Sequence, residues 1–256
     1  MALLQINIFS QSLGTGTNLN VILPEIDVTH TRPEAWDGNT PLPVLYLLHG
    51  MSDDYSTWCR RTSIERYAAG KKLAIVMPNA ANSFYSDELY GSKYWQFVSK
   101  ELPEVVKSFF RISGRREDTF VAGLSMGSFG AAKLALNYPE KYCKAAMLSG
   151  GIFILEGAEE VQNAVRRIVG DMKNVKRSIN DLPYLADQLS KSGEQKPEFF
   201  AACGTEDFLY EQHTKMLPYL IELGYSVTVH EESGAYHNWT FWDKAIQRVL
   251  EWMEIK

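Results

Sequence analysis

The chain has 256 residues, 45% of them hydrophobic and 22% charged, with a net charge of −5 at pH 7. That is enough apolar material for one large domain, and it lacks the polar excess of a disordered chain. The acidic balance leaves no basic surplus to neutralise phosphates and argues against nucleic acid as a partner, with the pairs Arg60-Arg61 and Arg115-Arg116 reading as solvated faces.

At the N-terminus, "MALLQINIFSQSLG" lacks a basic leader segment, and Gln5 and Asn7 interrupt its apolar residues, so it predicts a strand and not a signal peptide. Residues 3–10 and 19–23 alternate polar and apolar positions and predict antiparallel strands at the start of a sheet. Residues 29–42, with Pro33, Pro41, Asp37-Gly38 and Asn39, read as a surface loop. The pattern then changes to short apolar runs at 43–50, 73–79, 118–123, 144–150, 198–204 and 225–232, the kind required by strands buried on both faces. Segments with helical spacing separate them, such as Trp95, Val98, Leu102, Val105 and Val106, and the closing stretch "WDKAIQRVLEWMEI". Such an alternation predicts an α/β fold with a mostly parallel sheet and helices on both faces, as a single domain over 1–256. Residues 151–196 exceed an ordinary crossover, and Val161, Val165 and Ile168 give them an amphipathic helical pattern. They are expected to form a helical insertion over the active site, too short to bury a core of its own.

No run approaches the roughly 18–20 apolar residues of a membrane span, which predicts no membrane partner. Cys59, Cys143 and Cys203 are widely spaced and odd in number, fitting neither a disulfide framework nor a C-x-x-C site. They suit a reducing cytoplasm, with Cys143 and Cys203 as core residues. No metal-binding or nucleotide-binding motif is present, so no cofactor is expected.

The stretch "TFVAGLSMGSFGAAKLAL" (119–136) places Ser125 between Gly123 and Gly127, where an apolar strand passes into a helix. A turn that sharp strains the serine and leaves no room for side chains two positions to either side. It lifts the Ser125 hydroxyl into a cleft and sets the Met126 N–H at the positive end of the helix. A serine hydroxyl is a weak nucleophile alone and needs a histidine base oriented by a carboxylate, here in the chain order Ser, acid, His. His237, in "SGAYHNWTFW", follows the last strand and is the natural base, whereas His213 and His230 fall inside a helix and a strand. For the acid, "CGTEDFLY" offers Asp207, with Glu206 second and a helix N-cap as the competing use of Asp207. A second oxyanion donor is expected from the loop "HGMSDDYSTW", at the Met51 N–H, and His49 reads as a structural residue holding that loop. Trp58, Phe84, Tyr85 and Trp239 lie in or beside these loops and are candidates to line the substrate pocket.

"LYLLHGMSDDYSTW", "MPNAANSFYSD", "FVAGLSMGSFGA", "CGTEDFLY" and "AYHNWTFW", in that order across nearly the whole chain, resemble the tributyrin esterase branch of the esterase D group of α/β-hydrolases. The group also contains S-formylglutathione hydrolases and feruloyl esterases. The resemblance implies a serine carboxylesterase acting through an acyl-enzyme on short-chain, small-molecule esters. Ser125, Asp207 and His237 fall at the matching catalytic positions, with Met51 and Met126 as oxyanion donors. It is compatible with a homo-oligomer. Alternatives within the fold are a feruloyl or acetyl esterase on plant-polysaccharide esters, an S-formylglutathione-type thioesterase and an acyltransferase; outside enzymes, a silent ligand-binding protein.

Overall fold

The computed structural model describes residues 1–29, 31, 35–156 and 159–255. The loop expected over 29–42 falls in part on residues outside that set. The strands β1 (Ala2–Ser10) and β2 (Thr15–Leu23) form an antiparallel hairpin with Ile6 opposite Leu19. β2 continues antiparallel onto β4 (Ala74–Pro78), which pairs in parallel with β3 (Val44–Leu48). β5 (Thr119–Leu124), β6 (Lys144–Leu148), β7 (Glu198–Gly204) and β8 (Val227–Glu232) extend the parallel part, giving the order β1-β2-β4-β3-β5-β6-β7-β8.

Between the strands run α1 (Thr57–Arg61), α2 (Ile64–Tyr67) and α3 (Tyr94–Gln96). α3 passes through a π turn at Phe97–Glu101 into α4 (Leu102–Phe109), and α5 (Met126–Asn137) follows β5. The remaining helices are α6 (Glu159–Val169), α7 (Leu182–Ser192), α8 (Tyr210–Glu222) and α9 (Trp239–Trp252). Because side chains alternate along a strand, the parallel strands feed two cores. Val44, Tyr46, Val76, Val121, Met147 and Phe199 join the buried faces of α4, α5, α7 and α8. Leu45, Leu47, Ile75, Ala122, Leu148 and Phe200 pack against α1, α2 and α9. Every residue of α5 from Met126 to Leu136 is buried, which places this helix against the centre of the sheet.

The segment 151–196 divides into two parts. α7 packs along α5 as the crossover into β7. Its ends are made locally: the Asp181 side chain accepts the Tyr184 N–H, and Gly193 ends the helix at φ 78°. The additional part therefore lies before Leu182 and carries α6, whose Val165 and Ile168 are buried. The Leu89 N–H donates to the Ile168 carbonyl at 2.8 Å and ties α6 to the segment after β4. The carboxyl ends of the parallel strands gather the loops described next, and in open α/β sheets ligands bind at that end.

Candidate active site

Ser125 sits between β5 and α5 at φ 51° and ψ −116°, a conformation that L-residues other than glycine adopt at a cost of about 1–3 kcal/mol. The two glycines make it possible. A Cβ on Gly123 would stand 2.2 Å from the Gly127 carbonyl oxygen, and one on Gly127 would stand 2.5 Å from the Leu48 oxygen and 2.7 Å from that of His49. The turn is held by the Ser125 N–H, which donates to the Leu148 carbonyl at 2.8 Å across to β6.

His237 reaches this serine from the loop between β8 and α9. Its Nε2 lies 3.0 Å from Ser125 Oγ, and its Nδ1 lies 3.0 and 2.9 Å from the two Asp207 oxygens. An ionised carboxylate only accepts, so Nδ1 carries the proton and Nε2 is left to accept the serine O–H. Phe208, with its ring centroid at 4.5 Å, and the edge-on Trp242, at 4.9 Å, confine the imidazole. The Asn238 side chain caps α9 by accepting the Phe241 N–H, which anchors the chain directly after His237. Burial pushes the Asp207 carboxyl up, but its hydrogen bond and charge interaction with His237, together with the Leu209 N–H and Ser149, outweigh it and hold the group below the ordinary carboxylate value. Asp207 is 5% exposed; Glu206 beside it is exposed, so the structure brings Asp207 and not its neighbour to the histidine.

Met51 and Met126 both line the cleft next to Ser125. Among the described residues neither backbone N–H is taken up by an acceptor. The loop carrying Met51 is fixed by His49, whose Nε2 accepts the Ala80 N–H at 2.9 Å while Nδ1 meets the Gly50 carbonyl at 2.7 Å. Burial lowers the affinity of His49 for a second proton, in keeping with a neutral, structural imidazole. His213 lies in α8 and His230 in β8, away from Ser125.

The cleft encloses about 530 Å³, part of it open to solvent, and the aromatic lining expected from the sequence is only partly there. Phe84 lines it, but Trp58, Tyr85 and Trp239 do not. Trp58 is fully buried with its indole N–H on the Leu48 carbonyl at 3.0 Å, and Trp239 stacks edge-on between Trp58 and Trp242. Tyr85 is also fully buried, its hydroxyl donating to the His49 carbonyl at 2.9 Å. These rings support the loops from behind. The cleft is walled instead by Phe129, Ile154, Val161, Phe208 and Leu209, with Gln212 as a polar exception. Phe208 could have been found from its place beside Asp207, and the Gly150-Gly151 floor from the glycine pair closing β6. Phe129, Ile154 and Val161 carry no local signal, because each is one of several apolar residues in its segment and only the tertiary fold decides which of them faces the cleft. Among the described residues no three His, Cys, Asp or Glu side chains converge as metal ligands.

A hydrogen-bonded Ser, His and Asp at the carboxyl ends of β5, β8 and β7 of such a sheet define a class, the carboxylic ester hydrolases of α/β-hydrolase fold. Within that class, the Esterase family model matches residues 10–253, and the chain belongs to this family. It is 32% identical over 263 residues to an acetyl esterase of Caldicellulosiruptor saccharolyticus, covering 99% of this chain and 98% of that protein. Among solved structures it is similar to the Staphylococcus aureus fluorophosphonate-binding serine hydrolase FphF, with 35% identity, a TM-score of 0.87 and 98% of each chain covered. It is also similar to the S-formylglutathione hydrolase FrmB of Staphylococcus aureus, with 35% identity, a TM-score of 0.85 and 98% of each chain covered. Among the described residues no helix is long and apolar enough to cross a membrane.

Proposed function

We propose that this esterase hydrolyses short-chain acyl esters through an acyl-enzyme on Ser125. The observation that carries the reading is the unbroken path from Ser125 Oγ through both ring nitrogens of His237 to Asp207. His237 Nε2 takes the serine proton as Oγ attacks the ester carbonyl, and Asp207 stabilises the imidazolium. The N–H groups of Met51 and Met126 receive the oxyanion, a donor of this kind being worth about 3 kcal/mol of transition-state stabilisation. His237 then protonates the departing alcohol, and water repeats the sequence on the acyl-enzyme.

A cleft lined by Phe84, Phe129, Ile154, Val161 and Phe208, with no charged side chain along it among the described residues, favours a small neutral acyl group. The chain acts as one domain, with the segment before Leu182 forming a side of the cleft through Ile154 and Val161. Three free thiols fit a reducing compartment such as the cytoplasm. A thioester substrate is the second reading, favoured by the similarity to an S-formylglutathione hydrolase whose length this chain matches. The test is turnover of p-nitrophenyl esters from acetate to octanoate, beside methyl ferulate and S-formylglutathione, by wild type and Ser125→Ala. Hydrolysis of the short oxygen esters, abolished in Ser125→Ala, supports the first reading. A strong preference for the thioester moves the second ahead, and activity retained in Ser125→Ala rejects both.

A further inference from the structure

Lys133 lies in α5, two turns beyond Ser125, and is fully buried. A lysine without solvent costs several kcal/mol unless its donors are satisfied, and an apolar residue of similar length would avoid that cost. Burial lowers the proton affinity of its amine well below that of an ordinary lysine, with only Asp87 opposing. That carboxylate is engaged with Gln96, and among the described residues Lys133 forms no ion pair. What the amine does hold is backbone. Nζ donates to the Tyr85 carbonyl at 2.9 Å and to Ser86 Oγ at 2.8 Å, and lies 4.3 Å from the Trp95 ring centroid.

The backbone so held is strained. Phe84 and Tyr85 are consecutive non-glycine residues at φ 49° and 51°, each unfavourable by about 1–2 kcal/mol for an L-residue. Such a conformation persists only where its surroundings over-determine it. Its two side chains serve the site in different ways. Phe84 forms cleft wall, meets Phe129 edge-on at 6.2 Å, and its N–H approaches Met126 Sδ at 3.3 Å. Tyr85 fills the space left by Gly130, where a Cβ would stand 2.5 Å from the ring, and donates to the His49 carbonyl two residues before Met51.

We propose that Lys133 is a positioning residue of this esterase: by holding Tyr85 and Ser86 it fixes the 84–86 strap, and through it both the Phe84 wall of the cleft and the loop that carries the Met51 N–H. The inference rests on the serine-esterase reading above. It predicts two separable outputs of one clamp, acyl selectivity through Phe84 and oxyanion placement through Tyr85.

The experiment is steady-state kinetics of full-length wild type, Lys133→Met, Tyr85→Phe and Ser86→Ala on the p-nitrophenyl ester series, with thermal unfolding in parallel. Lys133→Met should keep its fold, lose on the order of 10²-fold in kcat with a smaller change in KM, and show a flattened acyl-chain profile. Tyr85→Phe, which removes only the bond to His49, should lower kcat at every chain length and leave the profile alone. Ser86→Ala, which removes one acceptor of the amine, should move both in the direction of Lys133→Met, by less. A folded Lys133→Met with wild-type kcat and profile would overturn the proposal and leave the lysine a core residue. If Lys133→Met does not fold, wild-type kcat and profile in both Tyr85→Phe and Ser86→Ala overturn it equally. Failure of the underlying reading looks different, because then wild type is inert or Ser125→Ala is active.

Discussion

The two ends of the parallel strands contrast in where they keep strain and where they keep charge. At the carboxyl ends stand Ser52, Ala81, Phe84, Tyr85, Ser125 and Ser149, all at positive φ without being glycine; among the described residues only Arg177 and Glu254 share that property elsewhere. At the amino ends lies a groove of about 1450 Å³, larger than the cleft and bordered by Arg115, Arg116 and Lys144. Three of its four bordering cations are engaged within the protein, Lys72 being the fourth: Arg115 pairs with Asp118, Arg116 donates to the Pro139 and Lys196 carbonyls, and Lys144 meets Glu198, Glu254 and the Trp252 carbonyl. Space alone therefore does not locate chemistry in this molecule. The end with the smaller cavity has the unpaired N–H donors and the strained backbone, and charges that satisfy one another have nothing to offer a ligand.

Substitutions at the two ends should differ by orders of magnitude. Ser125→Ala is expected to lower kcat on the order of 10⁶-fold while leaving thermal unfolding unchanged. Asp207→Asn, which leaves His237 in the wrong tautomer, should lose on the order of 10⁴-fold in kcat. Gly127→Ala forces a methyl onto the Leu48 and His49 carbonyls and should cost about 3 kcal/mol in urea unfolding together with most activity. The pH dependence of stability sharpens the contrast further. Asp207 is held below its ordinary value of 3.8, so the folded protein binds this proton less readily than the unfolded chain does. Its stabilising contribution is complete above that ordinary value and is lost as pH falls through the lowered one. Urea unfolding of wild type and Asp207→Asn, followed from neutral pH down through the carboxylate range, should show the wild type losing its Asp207-dependent share at the acid end. At the amino end, Arg115→Ala should leave kcat/KM unchanged and barely move thermal unfolding, since the arginine it removes is exposed and its pairing is screened by water. A large loss of activity there would erase the distinction between the ends.

The strand and helix order was legible because the inner parallel strands are short apolar runs buried on both faces, as in β3, β4 and β6, whereas the run at 225–232, expected to be of the same kind, forms the edge strand β8, which has no partner beyond it and stays largely exposed. The glycine pattern around Ser125 was legible for a related reason: the constraint is local, a backbone contact between residues four apart. The pocket was not. Trp58 and Tyr85 look alike in sequence to Phe84, yet only Phe84 faces the cleft, and the difference is made by partners distant in the chain, Leu48, His49 and Met126. Lys133 gave no signal either, since "AAKLAL" reads as an ordinary run of good helix formers until the sheet covers one side of α5, and α7, Trp95 and the 84–86 segment cover the rest. The extent of the insertion was blurred because α7 carries the same helical pattern as α6 while serving as an ordinary crossover.

Ser125 and His237 are 112 residues apart, and Asp207 and His237 are 30 apart. The serine turn can form as soon as β5 meets β6, but the base arrives only when β7, β8 and α9 have docked. Closing so long a loop comes late relative to local helix formation. During refolding, regain of ester hydrolysis should therefore trail the far-ultraviolet signal, making turnover a clock for the last stage of chain assembly.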